Sequence, residues 1–166
     1  KKKLLPTGEI LQDLLKDYVI RSATMIVRKK CLENLKYKFN NRFHIIGDFD
    51  LNIRIAAYWK IDCVQNPIAF VRIHGKNESL LNKDREINEF KEWYAEMGND
   101  RIISSNVNFK KIPLKISYLE ITENILKEKF SKNFLRVVKY PFSFNKIKLI
   151  IALFLPKFIL RKIKSY

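Results

Sequence analysis

Two carboxylates and a guanidinium lie close together in Phe43-His44-Ile45-Ile46-Gly47-Asp48-Phe49-Asp50-Leu51-Asn52-Ile53-Arg54. An apolar approach delivers a glycine and then Asp48 at the start of a helix. A glycine there admits a bend and the close approach of a ligand. The helix dipole favours an ionised carboxylate at this end. An ionised carboxylate at the mouth of a sheet can act as a general base. The alternative is structural, because Asp is among the best helix N-caps. Asp50 follows two residues later, so a helix points it away from Asp48 and the two do not work as a pair. A second element is Arg72-Ile73-His74-Gly75-Lys76-Asn77-Glu78-Ser79. Here a strand ends at His74, a tight turn follows and Ser79 caps a helix. A histidine at a strand end can hold a metal or a phosphate. The alternative is a partly buried turn histidine. His44 is the only other histidine, which excludes a multi-histidine metal site.

The elements that must position these residues alternate. Thr7-Gly8 precedes a short amphipathic helix, Glu9–Leu15. Ser22–Val27 is rich in β-formers and reads as a strand. Lys29–Leu35 reads as a short helix and Lys38–Arg42 as a polar turn. Phe43–Ile46 reads as a short buried strand or approach segment. A helix spans about Asp48–Trp59, with Leu51 and Ile55 one turn apart. Strands follow at Asp62–Gln65 and Ile68–Ile73, separated by Asn66-Pro67. The next helix is Ser79–Met97, with Phe90, Trp93, Tyr94 and Met97 on its inner side. Asn99–Pro113 breaks the pattern. A long helix covers about Leu114–Phe130, and a basic helical stretch continues to Tyr140. The final segment is Asn145–Tyr166, kinked at Pro156.

Length and composition bound the reading. The chain has 166 residues, 47% hydrophobic and 30% charged, enough for an ordinary core and too apolar for wholesale disorder. Cys31 and Cys63 are too few for a disulfide framework or a four-cysteine zinc site. They read as buried thiols of a reducing compartment. The longest apolar run, Leu149–Pro156, has eight residues, against the ~20 that a bilayer span requires. The sequence begins with Lys, without a secretory signal, and reads as a piece of a longer chain.

Together the two polar elements resemble the C-terminal, acceptor-side portion of a family 2 glycosyltransferase of the GT-A fold. The likeness runs from about Leu5 to Trp93: Leu5-Pro-Thr-Gly8, the helix Ile10–Lys16, the strand Ser22–Arg28, Phe39-Asn-Asn-Arg-Phe43, Ile46-Gly-Asp-Phe-Asp-Leu51 with Arg54, Asn66-Pro67, Arg72-Ile-His74 and Asn77-Glu-Ser79. Residues 100–166 carry little of it. The resemblance implies an inverting transfer of a sugar from a nucleotide-diphosphate donor to the hydroxyl of a glycan or lipid-linked acceptor. It implies Asp48 as catalytic base, with Asp50 orienting the loop and Arg54 supplying a charged hydrogen bond. His74 falls near the donor diphosphate or the metal. A divalent metal, Mg or Mn, is implied for the complete enzyme, with its main ligands in an N-terminal half outside this sequence. Asp48-Phe-Asp50 is not read as the family's metal-binding Asp-x-Asp. Only 47 residues precede it, too few for the nucleotide-binding subdomain. The family often carries Glu where this chain has Gly47. As this stretch alone, the chain is expected to be inactive.

The fold expected is therefore α/β, a partial GT-A-like mixed sheet from strands near 20–28, 61–65 and 68–74, flanked by helices and followed by an α-helical C-terminal extension. The expected domains are 1–98 and a basic helical extension, 99–166. The net charge is +16, and Lys127–Tyr166 holds eleven Lys/Arg against one acid, a net of +10. Such a local basic tail points to an anionic surface. Residues 145–166 alternate apolar clusters with lysines and read as a kinked interfacial helix on an anionic membrane. Packing on a neighbouring domain or protomer is an alternative. Nucleic acid ranks last, because the basic residues are interleaved with aliphatics rather than stacking aromatics. The location implied is cytoplasmic, peripheral at the inner face of the plasma membrane. The competing reading of the whole chain is a non-catalytic basic module on such a surface.

Overall fold

A computed structural model describes residues 4–70, 72, 81–127 and 130–164. Its elements are helical: α1 (Leu11–Lys16), a 3₁₀ turn (Ser22–Thr24), α2 (Lys29–Glu33), α3 (Gly47–Ala56), α4 (Lys83–Met97), α5 (Arg101–Ser105), a second 3₁₀ turn (Phe109–Lys111), α6 (Ile112–Lys127), α7 (Phe130–Lys139), α8 (Phe144–Phe154) and α9 (Lys157–Lys164). The chain forms two compact units. One comprises Lys1–Ile73 with Asn88–Ile112, the other His74–Ile87 with Pro113–Tyr166.

The expected α/β architecture with a mixed sheet does not form. Among the described residues there is no β-strand, only an isolated antiparallel bridge between Gly8 and Ile61. Each misread segment has a physical reason. Ser22–Thr24 coils because Thr24 N–H donates to Arg21 O and Met25 N–H to Ser22 O. Ile26, beyond it, is fully exposed. The N–H groups of His44, Ile45 and Ile46 all donate to the Glu89 carboxylate, at 3.0, 2.8 and 3.1 Å, so they are withdrawn from any ladder. After the bridge, Asp62 Oδ1 accepts the Cys63 N–H at 2.8 Å. The Gln65 side-chain amide then pairs with both backbone groups of Leu5, at 3.0 and 3.1 Å, in place of a partner strand. Pro6, next in the chain, has no N–H to offer. Ile68–Phe70 and Arg72 form no strand. The remaining residues of that expected strand, and His74 with Asn77 and Ser79, lie outside the described residues.

The first unit is centred on α3, which is apolar enough to be covered on most sides. Leu51, Ile53 and Ile55 are buried, with Leu14 and Leu15 of α1 and Trp93 of α4 also in this core. Phe49 meets Tyr18, Phe90 and Trp93 edge-on, with ring centroids 5.1, 5.1 and 4.8 Å apart. Phe109 packs on Trp93 and stacks on Tyr94. The stretch expected to break the pattern is structured: Asp100 caps α5 by accepting the N–H groups of Ile102 and Ile103. Gly8, at φ +87°, takes the left-handed conformation that side chains disfavour.

In the second unit, Ile121 and Ile125 of α6 pack with Val137 and Tyr140 from α7 and its end, and with Leu149 of α8. Tyr140 donates its hydroxyl to Leu114 O at 3.2 Å. The helical path breaks at Leu155-Pro156, where the expected kink falls.

Candidate functional site

The N-terminal turn of α3 divides its two carboxylates between two environments. Asp48 is half-buried and accepts the Phe49 N–H at 2.8 Å. Asp50, fully buried, faces inward. Both its oxygens receive Arg54, at 2.7–3.2 Å, and Oδ1 also accepts the indole N–H of Trp93 at 3.2 Å. Arg54 donates onward to Tyr37 O and Lys38 O, each at 2.6 Å, and its guanidinium lies 4.1 Å from the Tyr37 ring centroid. Arg54 thus uses its fork to join α3 to the 37–38 turn while neutralising a buried charge. Asp50 and Arg54 position the turn that carries Asp48, without facing outward beside it.

Asp48 does not cap α3. Ile46 is the N-cap, and its side chain makes no capping bond. Glu89, buried on α4, holds the approach: its carboxylate takes the three N–H groups just before the helix, while within the first turn Asp48 accepts the Phe49 N–H. Gly47 has ordinary helical geometry here. A Cβ added to it meets only the Phe39 ring, at 4.0 Å, so neither a bend nor a crowded approach accounts for the glycine.

Above Asp48 lies a polar cluster that the sequence reading did not include. Asn52, one turn on, donates to Asp48 O at 2.8 Å and to the Tyr18 hydroxyl at 2.9 Å. Burial holds the Tyr18 hydroxyl well above the usual tyrosine range. The Asn52 bond opposes that shift, the Asp48 charge adds to it and Arg21 opposes it. Tyr18 therefore stays neutral, its hydroxyl accepting from Asn52. Asn52 also lines a cleft of about 720 Å³, together with Arg28, Tyr58, Trp59, Lys60 and Asp62 among others. That volume falls in the range of small-molecule sites, ~300–1,000 Å³.

On the other side of the 37–42 segment, Glu96 of α4 accepts from the Tyr37 hydroxyl at 2.9 Å and pairs with Arg42. Burial, then the charge of Asp50 and the Glu96 bond, push the Tyr37 hydroxyl up to about 12.

The divalent metal implied by the resemblance has its main ligands expected outside this sequence. Among the described residues no group of three or more His, Cys, Asp or Glu could hold an ion. Asp50 is committed to Arg54 and Trp93, so Asp48 and Asp50 do not form a metal pair. No protein-family model, no curated protein and no solved structure matches the chain.

Proposed function

We propose that this chain is the acceptor-side part of an inverting glycosyltransferase, with Asp48 as its base. The observation that carries the reading is the position of Asp48. Asp48 is not among the residues that line the cleft; it lies one helical turn from Asn52, which does, while the second carboxylate of the motif is locked inward by Arg54 and Trp93. The order of sequence motifs from Leu5 to Trp93 supports the same reading, although the strand it includes at Ser22–Arg28 does not form.

An acceptor sugar has a fitting environment in the cleft. Trp59 and Tyr58 bring aromatic rings to its lining, and Arg28, Asp62 and Lys60 bring polar groups that suit hydroxyls. A sugar hydroxyl is a weak nucleophile. Asp48 takes its proton while the oxygen attacks the anomeric carbon from the face opposite the diphosphate. The bond from that carbon to the phosphate oxygen breaks as the glycosidic bond forms, with inversion. The proton ends on Asp48 and the electron pair on the leaving diphosphate. Tyr18 and Asn52 orient the turn that carries the base.

The cleft is tested by saturation-transfer NMR of the chain against a panel of mono- and disaccharides. The expected result is transfer to at least one saccharide, lost in Trp59→Ala and kept in Phe70→Ser, a change at an exposed residue absent from the cleft lining. Equal transfer in wild type and Trp59→Ala contradicts an acceptor in this cleft.

A further inference from the structure

The second unit shows an outer surface that its own core does not need. In α8, Leu149 is buried, with Ala152 and Leu153 packed on the same cluster. The opposite side of the helix is also apolar. Phe144, Ile147, Ile151 and Phe154 recur at spacings of three and four, and all are solvent-exposed. Phe142 in the preceding turn and Phe158 beyond Pro156 are 89% and 72% exposed. A helix that is apolar on two sides and belongs to a small unit has a face made for something other than that unit's core.

The charge around this face selects its occupant. Residues 127–166 carry a net of +10. Lys148 is exposed and lies 4.9 Å from the Phe144 ring centroid, so cation and apolar stripe share one edge of α8. Arg136 and Lys139, exposed on α7, instead line a groove with Ser117, Glu120 and Asn124 of α6. A second copy would bring the same positive charge against itself. A nucleic acid would leave the aliphatic stripe in water, since Ile147 and Ile151 offer no ring for a base. An anionic bilayer matches both features: acyl chains receive the stripe, and headgroup phosphates receive the lysines. Among the described residues no helix is long and apolar enough to cross a membrane. Contact in the plane of the interface is the remaining geometry.

We propose that α8, with Phe142 and Phe158 at its two ends, is a monotopic docking surface for anionic phospholipid. The inference stands on the second unit alone and is independent of Asp48.

The test is flotation of the full chain with vesicles of phosphatidylcholine, alone or mixed with phosphatidylglycerol. Binding to the mixed vesicles and weak binding to the neutral ones is the expected result. Ile147→Ser with Ile151→Ser abolishes flotation while the circular dichroism spectrum stays unchanged. Lys148→Glu weakens binding by about five-fold or more, the factor expected for one basic residue at an anionic surface. Absence of flotation with the anionic vesicles overturns the proposal. So does flotation that survives the double serine change, or a chain that dimerises through this face or binds single-stranded RNA while ignoring vesicles.

Discussion

Trp93 donates its indole N–H to Asp50 at 3.2 Å, tying α4 to the inward carboxylate of α3. The bond spans 43 residues of sequence and connects two side chains with no solvent exposure. Asp50 receives Arg54 at the same time. The turn carrying Asp48 is therefore anchored from below by a charge pair, an indole and the 37–38 backbone.

Breaking that pair is expected to be costly. Arg54→Met leaves a buried carboxylate without its counter-charge and two backbone carbonyls without their donor. The expected loss is about 3–5 kcal/mol, the range for removing one partner of a buried ion pair. Urea denaturation reads it directly. A loss no larger than that of a surface substitution contradicts the anchoring role.

Glu89 is expected to hold the approach to α3 through the three N–H groups it accepts. Glu89→Gln keeps one acceptor oxygen and the shape, but removes the charge that serves three N–H groups. The expected loss is about 1.5–3 kcal/mol, and amide hydrogen exchange at His44, Ile45 and Ile46 should quicken. Unchanged protection at those amides would refute the cradle.

Gly47 makes the opposite prediction. Its backbone is helical and the space beside it is open to a methyl group. Gly47→Ala is expected to stabilise the chain by about 0.4–1 kcal/mol, through the lower entropy of the unfolded state. Thermal unfolding checks the sign. Destabilisation would mean that the glycine serves a contact at this turn.

Tyr37 sets a pH dependence. Its hydroxyl is moved from 10.0 to about 12 by burial first, then by Asp50 and Glu96. Between those values the folded chain holds a proton that the unfolded chain has released. Stability from this group is complete below pH 10 and falls as pH rises to about 12. Tyr37→Phe should flatten that part of the stability–pH curve, with the residual slope carried by other raised tyrosines such as Tyr18.

The helices were legible where apolar spacing was strong. Leu51 and Ile55 marked α3, and Phe90, Trp93 and Met97 marked α4. The strands were misread because Ile26, Val27, Val64 and Ile68 have β-type side chains. Propensity does not supply a neighbour, and Glu89, Asp62 and Gln65 take the donors or acceptors that a ladder would use. Asp50 and Arg54 were singled out through the resemblance; their i, i+4 separation, which places them on one helix face, was not read as a pair. Glu89 was not legible, because its partners lie 43 to 45 residues away and nothing local marks an acidic helix residue as the acceptor of distant amides. Tyr18 and Asn52 were missed for the same reason, being 34 residues apart.

The central claim is that Asp48 takes the acceptor proton. The direct measurement is glycosyl transfer by the polypeptide that carries this sequence, followed as nucleoside diphosphate release from a panel of nucleotide sugars, for wild type and Asp48→Asn. The account predicts a kcat lowered by about 10²–10⁴ in the variant, the usual range for a lost general base, with donor affinity and folding unchanged. Equal kcat in the two proteins, in the presence of a competent donor and acceptor, would contradict it.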